Sequence, residues 1–138
     1  MTINEIQDEL IEDFAFYEDW MEKYEYIIQL GKELPLIEEA YKQDEYIIKG
    51  CQSKVWLKPD MQAGKIEFTA DSDAVITKGL VSLMVKVLSG HTPKEIADAD
   101  LYFIDQIGLK EHLSPTRANG LLSMVKQMKL YAIALQMK

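Results

Sequence analysis

A single thiol stands in 138 residues: Cys51, in the run Gly50-Cys51-Gln52-Ser53-Lys54-Val55-Trp56. Thiols act as nucleophiles in the thiolate form, and an unperturbed cysteine has a pKa of about 8.5. Near neutral pH only a few per cent is ionised unless something nearby stabilises the charge. Lys49 and Lys54 are close in sequence, and open backbone N–H groups in a loop would help in the same way. Gly50 gives the backbone freedom to take a positive φ and to let a partner approach. Polar Gln52 and Ser53 discourage deep burial, and a β-type segment follows at once. The pattern describes a thiol presented on a loop at the edge of a sheet. The competing reading, a cysteine serving as a small inert hydrophobe, is the commoner one in general; position in a loop, not on an apolar helix face, counts against it.

Other chemistries lack their residues. A cysteine hydrolase needs a histidine base, and only His91 and His112 are available. His91 follows a helix-ending glycine, where a positive charge suits the C-terminal dipole, so it reads as a cap. His112 lies in a loop before Ser114-Pro115 and has no assignable role. Asp71 and Asp73 flank a helix start and read as caps in preference to metal ligands. One thiol forms no internal disulfide and holds no iron–sulfur cluster alone, since a cluster takes about four thiolates. A structural zinc site has too few ligands. No glycine-rich phosphate loop and no Cys-x-x-Cys pair is present.

Composition narrows the partners. With 15 basic and 23 acidic side chains, the formal charge is −8. Such a surface repels phosphate backbones and anionic lipid, which argues against nucleic acid and against a membrane surface. No apolar run reaches the roughly 20 residues that span a bilayer, and the acidic N-terminus is unlike a signal or transit peptide. The expectation is a cytoplasmic protein, residues 1–138 forming one domain with an ordinary hydrophobic fraction of 48%.

The elements that must position the thiol are legible as an order. Thr2 and Glu5 form a capping box ahead of Ile3, Ile6, Leu10 and Phe14 at helical spacing. Asp19 and Glu22 start a second helix that stops at Gly31. A short helical stretch fits Leu36–Tyr41, and Tyr46–Ser53 is an irregular loop carrying the cysteine. Val55, Trp56 and Leu57 begin a strand, Lys58–Gly64 form a turn, and Lys65–Ala70 alternate as a half-buried strand. Asp71-Ser72-Asp73 opens a helix to about Ser89, apolar on nearly all faces and so buried. Thr92-Pro93-Lys94-Glu95 starts another helix, and a short piece covers Leu101–Ile107. Ser114-Pro115 begins the last, with a stripe of Ala118, Leu121, Leu122, Val125, Met128, Ala132 and Leu135. Gly79 and Gly120 sit inside helices at a cost of about 1 kcal/mol each against alanine, which points to close packing. Arg117 works against its helix dipole, so a partner or an internal carboxylate should compensate it. Helices, a hairpin, then helices, with no βαβ alternation, predict an α+β domain on one small antiparallel sheet.

Three blocks together resemble the SufE family, the iron–sulfur metabolism associated domain. Gly50-Cys51-Gln52-Ser53-Lys54-Val55-Trp56 is similar to its cysteine motif. Asp71-Ser72-Asp73-Ala74 with Lys78-Gly79-Leu80 is similar to its second block, and Leu113-Ser114-Pro115-Thr116-Arg117-Ala118-Asn119-Gly120-Leu121 to its third. The blocks occur in family order and span essentially the whole chain. The resemblance implies an α+β fold shared with cluster-assembly (IscU-like) scaffolds, without their cluster-ligating cysteines. It implies that Cys51 accepts sulfane sulfur from a persulfide on a SufS-like cysteine desulfurase and passes it to a cluster scaffold. Pyridoxal phosphate would belong to the desulfurase, and this chain would carry no cofactor and no metal of its own. The cysteine loop would tuck inward at rest and swing out on docking. Gly50, Gln52 and Ser53 would shape it, with Arg117 and Asn119 on or near the docking surface.

The expected role is therefore a sulfur carrier and desulfurase activator without turnover of its own. The alternative is a module that stimulates a desulfurase allosterically, with Cys51 dispensable. A thiol peroxidase or redox sensor is a third class, disfavoured by the lack of a resolving cysteine.

Overall fold

The computed structural model describes residues 1–137. Helix α1 (Ile3–Phe16) starts at the expected box: Thr2 Oγ1 accepts from the Glu5 N–H at 3.1 Å, and Glu5 Oε1 accepts from the Thr2 N–H at 2.9 Å. Helix α2 (Trp20–Gly31) starts at Asp19, whose carboxylate accepts from the Glu22 N–H at 2.9 Å. The chain then runs through two single 3₁₀ turns, Glu39–Tyr41 and Asp44–Tyr46, to the cysteine loop.

Strands β1 (Val55–Gln62) and β2 (Lys65–Ser72) pair antiparallel from Val55 opposite Ser72 to Gln62 opposite Lys65. The expected Lys58–Gly64 turn is wrong in extent. Strand β1 runs through Pro59, which lies opposite Phe68, and only Ala63 and Gly64 form the turn. Proline is tolerated because a two-stranded ladder leaves one side of each strand free of partners. Ala63 and Gly64 both take positive φ, 52° and 80°, as a two-residue turn matched to strand twist requires. The free side of β2 is not left open. Ile37 N–H donates to the Ala70 carbonyl at 3.1 Å and Ala70 N–H to the Pro35 carbonyl at 3.0 Å. This pairing holds residues 35–37 extended, so the helical stretch expected at Leu36–Tyr41 shrinks to its last three residues. Covering an exposed ladder edge outweighs a weak local helix preference.

Helix α3 (Val75–Leu88) is the buried centre, packed by α1, α2, β2 and the last helix. It starts later than expected, and the acidic pair does not cap it. Ala74 is the N-cap and offers no side-chain acceptor. Asp71 belongs to β2 and takes Lys42 at 2.8 Å and Lys78 at 3.3 Å. Burial works against its charge, but hydrogen bonds from Lys42, the Ser72 N–H and Lys78 outweigh that and hold the carboxyl below its ordinary range. The Asp73 carboxylate accepts from the Lys54 N–H at 3.1 Å.

Gly79 is where α2 crosses α3. A methyl group there would stand 2.3 Å from the Ile27 carbonyl oxygen, and one on Gly31 would stand 3.1 Å from the Gly79 nitrogen. The two backbones are in direct contact. Helices α4 (Pro93–Asp98) and α5 (Phe103–Ile107) follow, then an unforeseen single turn, α6 (Leu109–His112). His112 therefore lies on a helical turn instead of in a loop, its ring stacked on Trp20 at 4.0 Å. His91 sits at the end of α3 with Nδ1 3.3 Å from the Leu88 carbonyl, the capping position expected of it.

Helix α7 (Pro115–Gln136) closes the molecule. Its buried side is Gly120, Leu121, Met124, Met128 and Ala132, while Leu122, placed in the stripe from sequence, is 45% exposed. Both faces of this helix carry apolar residues, so periodicity alone did not separate core from surface. Residues from every helix and from both strands meet in one hydrophobic core.

Candidate functional site

The cysteine loop is pinned on both sides. Before it, Ile48 is buried and donates its N–H to the Val55 carbonyl at 2.8 Å. After it, Lys54 is tied to Asp73, and β1 begins at Val55. Between these anchors Gly50 takes φ +93°, and a methyl group on it would lie 2.4 Å from Ser123 Oγ on α7. Gly50 thus meets the demand of a left-handed backbone, and a side chain there would also require Ser123 Oγ to move aside.

Cys51 is turned inward and half-buried. Its S–H donates to the Gly120 carbonyl at 3.6 Å, across 69 residues of chain. A methyl group on Gly120 would stand 3.4 Å from the sulfur, in ordinary contact with it, so the thiol packs directly against this turn of α7. Close packing was expected at Gly120; its partner is the cysteine itself. Burial pushes the Cys51 thiol above its ordinary value, and no positive charge offsets it. The help expected from Lys49 and Lys54 is absent, because both side chains are exposed and turn to solvent. A carbonyl acceptor beside the sulfur likewise favours S–H over the thiolate.

Next to the thiol is a cavity of about 70 Å³ lined by Cys51, Gln52, Ser53 and residues of two helix starts. From the start of α3 come Ala74, Thr77 and Leu80; from α7 come Thr116, Arg117, Gly120 and Met124. The loop residues Gln52 and Ser53 and the cation Arg117 are thus brought to one place. Gly50 borders Ser123 on the same stretch of α7. Asn119 is not brought in. It is exposed and falls on another side of α7 from Arg117 and Gly120, as a 3.6-residue turn dictates. Of the two compensations expected for Arg117, a partner or an internal carboxylate, the second is missing: among the described residues no carboxylate pairs with it.

Thr77, Leu80, Thr116 and Met124 were not identified as site residues from the sequence. Thr77 and Leu80 belong to a helix apolar on most faces, which hides a functional wall among core positions. Met124 follows Gly120 by one helical turn, the spacing that would have found it. Among the described residues no group of three or more His, Cys, Asp or Glu side chains gathers as a metal site, and no helix is long and apolar enough to cross a membrane.

Fold and site define a small α+β protein built to hold one thiol against a helix, beside a cavity of its own. The chain belongs to the SufE family, described as the iron–sulfur metabolism associated domain, whose family model matches residues 8–132. It is 42% identical over 127 residues to an uncharacterised SufE-like protein of Rhizobium meliloti, covering 88% of this chain and 91% of that one. An uncharacterised SufE-like protein of Rhizobium etli is equally similar, with 88% and 86% covered. The fold is similar to that of a hypothetical protein from Thermus thermophilus solved in solution, with a TM-score of 0.80. That likeness covers 96% of this chain and 97% of the other at 16% identity.

Proposed function

We propose that Cys51 is a sulfur acceptor: it takes sulfane sulfur from the persulfide of a cysteine desulfurase, stimulates that enzyme and delivers the sulfur for iron–sulfur cluster assembly. The observation that carries this reading is the sole thiol, held on a pinned loop with a cavity beside its sulfur, in a chain of the SufE family.

The transfer is thiol exchange. The Cys51 thiolate attacks the outer sulfur of the donor persulfide; the donor S–S bond breaks, its thiolate leaves, and a new S–S bond forms on Cys51. One bond replaces another, so no oxidant or reductant is consumed. Pyridoxal phosphate chemistry stays with the desulfurase. The resting thiol is poorly suited to attack, being half-buried, held towards its protonated form and bonded to a carbonyl. Docking of the desulfurase lifts the loop from α7, exposes Cys51 to water and donor alike, and so couples ionisation to the presence of the right partner. Such gating keeps the thiol from oxidants between transfers.

Intact mass after mixing the reduced protein with a cysteine desulfurase and L-cysteine tests the reading. The expected result is a gain of about 32 Da, one sulfur, reversed by reductant and absent in Cys51→Ser. Faster desulfurase turnover with no gain in mass, and unchanged stimulation by Cys51→Ser, would replace the carrier with an allosteric activator.

A further inference from the structure

The cavity behind Cys51 is mismatched to the thiol beside it. The S–H group finds an acceptor, the Gly120 carbonyl, on the backbone of α7. Beside the apolar Ala74, Leu80 and Met124, the remaining walls carry donors. Thr77 is only 8% exposed, and its hydroxyl makes no hydrogen bond among the described residues. No sealed side-chain polar atom there lacks a partner, so this hydroxyl opens onto the cavity that Thr77 lines. Thr116 and Ser53 line it too, and Arg117, exposed and free of carboxylates among the described residues, stands at its mouth. Two helices of 14 and 22 residues begin here, α3 and α7. The first turn of α3 receives no side-chain cap from Ala74. Helix starts carry partial positive charge; Ser114 already caps that of α7, and the uncapped start of α3 is the one that suits an anion.

We propose that the cavity is an anion cradle for the outer sulfur of a Cys51 persulfide, with the Thr77 hydroxyl as its buried donor and Arg117 as the cation at its mouth. This rests on the carrier reading and adds where the cargo is held. A disulfide-type S–S bond of about 2.05 Å places the outer sulfur just beyond Sγ. The cavity volume of about 70 Å³ is several times the roughly 10–15 Å³ that one water needs on the same measure, enough for one sulfur atom. A persulfide ionises more readily than its parent thiol, so loading exchanges a neutral S–H for an anion. The same loop that keeps the empty thiol protonated against Gly120 then keeps the loaded sulfur ionised against Thr77 and Arg117. An anionic persulfide resists attack by other thiolates, because like charges repel and the electrophilic form is the neutral one. Cargo is retained by its own charge until the loop opens.

The test loads purified protein with cysteine trisulfide, bypassing any desulfurase, and removes the excess. Sulfide release by dithiothreitol is then followed across pH for wild type, Thr77→Val and Thr77→Ser. Thr77→Val should lose its sulfur about tenfold faster at neutral pH, with the midpoint of persulfide ionisation moved up. Thr77→Ser, which keeps the hydroxyl, should behave as wild type. Alkylation of the unloaded thiol at one rate in all three proteins would show that the loop itself is intact. Release from Thr77→Val at the wild-type rate and with the wild-type midpoint would overturn the cradle while leaving the carrier standing. Where trisulfide does not reach the shielded thiol, a cysteine desulfurase with L-cysteine loads it instead; failure of the wild type to take up sulfur from that source too would overturn both.

Discussion

Cys51 keeps its proton because water reaches only part of it and because the atom its hydrogen finds is a carbonyl oxygen. The sign of the consequence is fixed. The folded chain binds this proton more tightly than the unfolded chain, so the contribution to stability is complete below the unfolded thiol's pKa, about 8.5. It declines as pH rises through that value towards the higher folded one. Wild type should therefore lose stability relative to Cys51→Ser above that pH, measured by urea unfolding, and iodoacetamide should label the native thiol with a midpoint above that of a free cysteine. A midpoint at the free value would mean that the thiol stands in water. Gly50→Ala should cost about 1–2 kcal/mol for the left-handed backbone alone, before the added carbon meets Ser123. Urea unfolding measures the loss, and faster alkylation of Cys51 would show that the displaced loop frees the thiol. Gly50 and Cys51 were legible in sequence because a loop glycine before a sole thiol is a local signal. The inward direction of the sulfur came only with the family resemblance and not from the local residues, since it depends on Gly120, 69 residues away. Thr77 was hidden for the opposite reason: its neighbours are so apolar that the whole helix reads as core.

At the scale of elements, backbone contact sets what each glycine tolerates. Gly79→Ala gains roughly 1 kcal/mol in helix propensity. Its new carbon, however, would lie 2.3 Å from the Ile27 oxygen and 2.8 Å from the Ile27 carbonyl carbon, which are backbone atoms and cannot step aside. Helices α2 and α3 must separate, so a net loss of about 2–3 kcal/mol is expected in urea unfolding, within the range for overpacking. An unchanged midpoint would show that the crossing yields easily. The hairpin offers the reverse case. Ala63 holds φ 52° in a turn that favours Asn or Gly, so Ala63→Gly should stabilise the chain by about 0.5–1 kcal/mol in thermal unfolding. Helix caps at Thr2, Asp19, Thr92 and Ser114 were readable because a cap is decided within four residues. The turn at Ala63-Gly64 was drawn too long because Pro59 and Asp60 look like breakers, and only the ladder shows that Pro59 falls where its missing N–H is not required. The acidic pair failed as caps for a similar reason. Asp71 is claimed by Lys42 and Lys78 across the fold, a charge arrangement that no local pattern encodes.

Charge is divided unevenly over the whole molecule. From Pro115 onward the chain has four basic side chains and no acidic one, so all 23 acidic residues precede it. Helix α7 is thus a basic helix on an acidic protein, and it is the helix against which Cys51 rests. Exposed Lys126 and Leu130 on α7 and Lys49 on the loop border a common surface groove, together with Asp44 and Glu45. On the proposed carrier reading, a desulfurase docking over this groove would meet basic side chains on a chain whose net charge is −8. Fields of this kind act mainly on the rate of encounter and are screened within about 8 Å at physiological salt. Association of the carrier with a cysteine desulfurase, followed by stopped-flow fluorescence, should therefore slow as salt is raised from low to physiological ionic strength, with dissociation little changed. Lys126→Glu should slow association several-fold at low salt and make it less salt-dependent, while chemical loading of Cys51 by cysteine trisulfide stays at the wild-type rate. An association rate indifferent to both salt and Lys126 would mean that the donor approaches from the acidic side, and that the basic helix serves only to hold the thiol.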